Sequence, residues 1–153
     1  MTTKDAPNLL KYENYREQFK RLDKAINNNF YLEAMFIAYA IIEDRTESIL
    51  SYESNEIHSK GFVPVTKKLN RIKTIAERKG SLPARYFSDN LIDEILEWKD
   101  ERNRLIHALM KQSLTTEDLQ TVALKGKDLA RKLANSATRS TPKTVGITDK
   151  SVA

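Results

Sequence analysis

Hydrophobic positions recur along this chain at steps of three and four rather than in alternation, which is the period of an amphipathic helix and not of a strand. A first run, Leu9, Leu10, Tyr12, Tyr15, Phe19, Leu22 and Ile26, predicts a helix capped by Asn8 and ending near Asn27. Asn27-Asn28-Asn29 then reads as a stop and restart, since asparagine tolerates turn and cap conformations. From Phe30 to about Ser54 a second helix is expected. Its first half, up to Ile42, is apolar almost all round, so it should be central and covered on several sides, with Ala34, Ala38 and Ala40 allowing close approach. A third helix is predicted over 62–79, with Pro64 in its first turn, Leu69, Ile72, Ile75 and Ala76 inward, and Gly80-Ser81-Leu82-Pro83 as its stop. A fourth runs from a Ser88 cap to about Gln112. A fifth follows a Thr115/Asp118 capping pair and reaches about Asn135, with Leu119, Val122, Ala123, Leu129 and Leu133 inward; Gly126 within it costs helix stability. Residues 1–8 read as a flexible leader, and 136–153, rich in Ser, Thr, Lys and Pro, as a disordered tail. The expectation is an all-α, antiparallel bundle of about five helices occupying 9–135.

Composition narrows the class. At 153 residues the chain holds one domain with a sizeable core. Without cysteine it has no disulfide and no thiolate metal site, and a reducing cytoplasm is the natural setting. Two histidines without HExxH spacing offer no zinc motif, and no metal or cofactor is expected. The most apolar window, 30–42, is too short to span a bilayer, so no membrane role is expected.

Charge is uneven. Between Lys60 and Arg85, eight basic residues against the single acid Glu77 give that segment +7, so the rest of a chain of net +5 carries −2. Lys67, Lys68 and Arg71 on the third helix are therefore candidate phosphate contacts, weighed against an ordinary solvated face. His58 reads as a surface loop residue.

The fourth helix carries the candidate chemistry. Its stripe of Leu91, Ile95, Trp98, Leu105 and Leu109 skips one position, and that position is Arg102, in the middle of the apolar face. A guanidinium keeps its charge, so it either snorkels outward or meets an anion. Glu43 and Glu47, one turn apart on the second helix, are candidate partners, set against a solvated helix end. His107 follows about 140° further round, at the margin of the stripe, and Asn103 sits one turn before it. One helix thus offers a cation, an amide and an imidazole beside an apolar seam.

Arg102-Asn103, three residues, then His107 matches the Arg-x4-6-His signature of HEPN domains in its Arg-Asn-x-x-x-His form, and the flanking Leu105-Ile106-His107-Ala108-Leu109 also resembles that family. The resemblance covers roughly 9–135. It implies a helical bundle acting as a metal-independent endoribonuclease, with the site built at a homodimer interface between two motif helices. Carried over, Arg102 and His107 are the catalytic pair and Asn103 supports them. The roles suit the residues: an imidazole moves a proton while the ribose 2′-hydroxyl attacks phosphorus, and a guanidinium holds the phosphate oxygens. Which proton His107 moves is left open. Defence against phage, toxin–antitoxin pairing or RNA processing is the implied setting, with RNA as substrate and an antitoxin as a possible partner protein. Residues 108–111 lack the tyrosine that some toxin-type members carry after the histidine, so control by modification there is in doubt. Other members are non-catalytic protein- or nucleotide-binding modules, which is the alternative, with Arg102 then held as a structural ion pair.

Overall fold

The computed structural model describes residues 6–53, 62–78, 80–81, 87 and 90–140. They form five helices and no strand: α1 (Ala6–Asn27), α2 (Tyr31–Glu53), α3 (Val65–Ala76), α4 (Leu91–Ala108) and α5 (Thr116–Ser140), packed as an all-α bundle. His58 and the Ser88 cap lie outside the described residues, as do Lys60, Lys79 and Arg85 and everything beyond Ser140.

Local chemistry sets the boundaries. Asn29 adopts φ 62°, the left-handed conformation that closes a helix. Its amide donates to the Ile26 carbonyl at 3.1 Å and that of Phe30 to the Ala25 carbonyl at 2.8 Å, a Schellman pair that turns α1 into α2. At the start of α5, the Thr115 amide donates to the Asp118 carboxylate at 3.0 Å and the Asp118 amide to the Thr115 hydroxyl at 3.1 Å, the expected capping box. Pro64 caps α3 instead of lying in its first turn.

Cross-helix bonds set the directions. Lys11 donates to Ser48 and Tyr15 to Asp44, so α1 is antiparallel to α2. Asp23 meets Lys127 and Arg131 lies over Phe19, so α5 is antiparallel to α1. Trp98 bonds Val122, and Glu94 meets Lys125, so α4 is antiparallel to α5 and therefore to α2. Lys73 with Asp93 and Lys99 with Thr66 lay α3 antiparallel to α4.

At the centre, α2 is packed on α5, with α1 and α3 also against it. Ala34, Met35, Ala38, Ala123, Leu129, Ala130 and Leu133 are all fully buried. Small residues on both helices let the backbones approach closely.

Other expectations change as well. Helix α1 starts at Ala6, so Asn8 lies within it and does not cap it. Leu9, Leu10 and Tyr12 are exposed, because the polar second half of α2 lies opposite the first turns of α1. Helix α5 runs on to Ser140, with Ser136 and Ala137 buried, because Ala137 continues the Ala130–Leu133 row against the core. The first half of α2 is indeed central, yet one row of it is uncovered: Leu32 is 43% and Phe36 68% exposed.

Gly126 is more than a propensity cost. A Cβ there would stand 2.4 Å from Cζ2 of Trp98, whose indole lies against α5 and donates from Nε1 to the Val122 carbonyl at 2.8 Å. A Gly-to-Ala change inside a helix ordinarily stabilises by about 0.5–1 kcal/mol. Here the ring must move out of its slot, and Gly126→Ala is expected to cost about 1–3 kcal/mol, read as a lower urea midpoint with unchanged slope.

Candidate functional site

The motif helix buries Leu91, Ile92, Ile95, Trp98, Leu105 and Ala108 against the bundle, which turns 102, 103, 106 and 107 toward its outer edge. Arg102 is half-buried. Its guanidinium carbon lies 4.4 Å from the centroid of the Tyr39 ring on α2, and Nη1 donates to Oδ1 of Asn103 at 3.0 Å. Its Nε is buried with no hydrogen-bond acceptor among the described residues. Burial pushes the guanidinium below its ordinary pKa, and Tyr39 offsets part of that. The group remains a cation near neutral pH.

Glu43 and Glu47 are not its partners. Both carboxylates face Lys68 on α3: its ammonium meets Glu47 directly and Glu43 at 3.9 Å. Lys68 is 8% exposed, so it is an internal tether between α2 and α3. That revises its reading as a phosphate contact, because an ammonium enclosed with two carboxylates is not presented to an outside anion. Lys67 and Arg71, which lie beside Lys68 on the surface of α3, are exposed.

His107 is exposed and makes no hydrogen bond or ion pair with a described residue. Five residues separate it from Arg102, about 7.5 Å along the axis and about 140° around it. Arg102 is drawn inward over Tyr39 while His107 faces outward, so one chain does not converge the two on a single phosphate. Asn103, half-buried, accepts from Arg102 and lies one turn from His107.

The sequence did not reveal the setting of this edge. Ile106 and Met110 follow Arg102 at steps of four and are 39% and 95% exposed. On α2, Phe36 and Leu32 share the helix face of Tyr39, the residue that meets Arg102. Each of the two helices thus carries an exposed apolar row in line with the contact between Arg102 and Tyr39. The signal was present in the all-round apolar first half of α2, which has one more apolar face than its neighbours cover.

Among the described residues there is no cluster of three or more His, Cys, Asp or Glu side chains placed to hold a metal ion, and no helix is long and apolar enough to cross a membrane. Comparison of the chain with known protein families, with curated proteins and with solved structures finds no match.

The pairing makes opposite stability predictions for the two inward cations. Arg102→Met removes a charge from the apolar face and strands no carboxylate, so stability should stay within about 1 kcal/mol of wild type or rise. Lys68→Met leaves Glu43 and Glu47 facing each other and should cost about 1–3 kcal/mol. Urea denaturation of both variants checks the contrast; a large loss from Arg102→Met would mean that Arg102 is a structural keystone.

Proposed function

We propose that this protein is a metal-independent endoribonuclease of HEPN type, active as a homodimer whose two α4 helices face each other. The observation that carries this reading is the place of the Arg102-Asn103-x3-His107 motif at the edge of an uncovered apolar surface, with Arg102 lacking a carboxylate partner among the described residues. Scattered exposed apolar residues are ordinary, but an exposed apolar row on each of two helices that meet at a cation suits an interface. A twofold pairing presents the same surface from both copies. It would set the His107 of one copy across from the Arg102 of the other, closing the gap that a single helix leaves between them.

The chemistry then needs few parts. The ribose 2′-hydroxyl attacks the neighbouring phosphorus, the 5′-oxygen leaves, and a 2′,3′-cyclic phosphate and a 5′-hydroxyl result. His107 transfers a proton in this exchange. Arg102 offers N–H donors to the phosphate oxygens as charge builds on them, and Asn103 holds that guanidinium. Lys67 and Arg71 would attract the RNA backbone without doing chemistry. No cofactor is required. A cytoplasmic role in phage defence, in a toxin–antitoxin pair or in RNA processing follows from the same reading, with an antitoxin as the partner in the second case.

A second reading has its own support. Stacking on Tyr39 and bonding to Asn103 already occupy much of Arg102, which suits a non-catalytic protein- or nucleotide-binding module.

RNA incubated with the pure protein in EDTA decides between them. Wild type should cleave it, while Arg102→Ala and His107→Ala should each lose about a hundredfold to ten-thousandfold in rate with the fold intact by circular dichroism. Wild-type rates in both variants, or no cleavage by wild type on any RNA, would end the nuclease reading.

Assembly is tested separately. Light scattering at about tens of micromolar, where weak dimers form, should give a dimer for wild type and a monomer for Phe36→Glu or Met110→Glu. Both side chains are exposed in the isolated chain, so neither change should unfold it. A wild-type monomer, or a charged variant that still dimerises and cleaves, would remove the composite site.

A further inference from the structure

A second site lies on the other side of α2 from the motif helix. Between α1 and the last turns of α5 runs a groove of about 410 Å³, floored from α2 by Arg45. That volume is within the range of small-ligand sites.

Tyr12, Tyr15 and Phe19 follow each other along α1 at steps of three and four, so they form one row on its surface. Each carries a guanidinium over its ring. Arg16 stands 5.9 Å from the Tyr12 centroid, Arg45 3.7 Å from that of Tyr15, and Arg131 5.0 Å from that of Phe19. A guanidinium held flat on a ring spends its face on the stack and keeps its N–H donors in the plane, directed sideways.

The charge is unbalanced. Asp23 is the acid in the groove wall, and it is already held by Lys127 at 2.7 Å and Arg131 at 3.1 Å. Arg16 and Lys20 have no acid partner among the described residues. Arg45 is half-buried and spends Nη2 on Asp44 and Ser48, while its Nε is buried without a hydrogen-bond acceptor among the described residues. Burial pushes this guanidinium below its ordinary pKa, with Asp44 opposing. A desolvated donor with no acceptor is costly, and an incoming anion would relieve it.

The two halves of this chemistry select the ligand. Cations alone would suit any anion, and rings alone would suit any apolar group. A row of rings with guanidiniums over them, two of those cations held by acids while Arg16 and the neighbouring Lys20 have no acid partner among the described residues, suits a molecule that is planar and aromatic at one end and anionic at the other. We propose that this groove binds a nucleoside phosphate, the base stacking along the Tyr12–Phe19 row and the phosphate taking donors from Arg16, Lys20 and Arg45. The ligand comes either as a free nucleotide or as a unit of a single strand. The site is independent of Arg102 and His107 and does not rest on the nuclease reading.

The test uses the full-length protein with three probes: ATP, inorganic tripolyphosphate and a single-stranded hexadeoxynucleotide. The last lacks the 2′-hydroxyl that a ribonuclease would need, so binding is read without cleavage. ATP or the hexamer should bind, and tripolyphosphate should bind at least tenfold more weakly. Arg16→Glu with Lys20→Glu should weaken binding at least tenfold, and Tyr12→Ala severalfold. These three side chains are exposed, so the variants should keep the wild-type melting curve; if the double reversal melts early, Arg16→Gln with Lys20→Gln replaces it. Binding of ATP that the hexamer does not exceed assigns the groove to free nucleotides. Tighter binding of the hexamer than of ATP assigns it to a single strand. No binding of either, tripolyphosphate binding as well as ATP, or full affinity in the neutralised or reversed variant would overturn the proposal, whatever the cleavage assay shows.

Discussion

The close approach of α2 to α5 is the constraint on which the other helices depend. Ala34 and Ala38 on one side and Ala123 and Ala130 on the other are fully buried, with Met35, Leu129 and Leu133 filling between them. Small residues at such a contact bring backbones near enough for the larger side chains to interlock. The remaining helices are then hung on this pair: α1 and α3 on α2, and α4 on α5 through Trp98 in the slot above Gly126. With α5, α1 and α3 around it, α2 still has one row uncovered, and α4 reaches that row at Tyr39 and Arg102. The row on α2 stays open because α4 packs on α5 and α3 rather than over α2.

A competition between two cations shapes the site. Lys68 and Arg102 both point inward near the middle of α2, and its acids Glu43 and Glu47 could in principle satisfy either. They face Lys68 across the α2–α3 contact. Arg102 is left with a ring face and an amide, which hold a guanidinium in place without neutralising it. A cation desolvated in that way keeps its appetite for an anion. This is the physical basis for treating Arg102 as a phosphate ligand, and it would have been absent had a carboxylate closed on it.

The α1–α5 groove also sets guanidiniums over rings. Arg16, Arg45 and Arg131 each have an aromatic ring beneath them, but Arg45 also meets Asp44 and Arg131 meets Asp23, so Arg16 is the one of the three with no acid partner among the described residues. The groove and the motif edge share no residue, so a chain of this size carries two separate cationic surfaces divided by its central helix. Both arise where aromatic residues on a half-exposed helix face meet arginines, from a neighbouring helix for Tyr39, Tyr15 and Phe19 and from the same helix for Tyr12.

Periodicity alone determined the five helices, because burial of one face dictates spacing at 3.6 residues per turn whatever the neighbour is. The capping pair Thr115–Asp118 and the Asn29 turn were legible for the same reason: they are local chemistry. The Arg102, Asn103 and His107 constellation was visible as a spacing, along with the oddity of a cation inside an apolar stripe. Its environment was not. Which cation takes Glu43 and Glu47, that Lys68 is enclosed while Lys67 and Arg71 are not, that Gly126 makes room for Trp98, and that Phe36 and Met110 lie open beside the motif all depend on which helix lies against which. Those facts come from contacts between residues far apart in the chain, and a one-dimensional pattern records the faces a helix offers without recording which of them a neighbour covers.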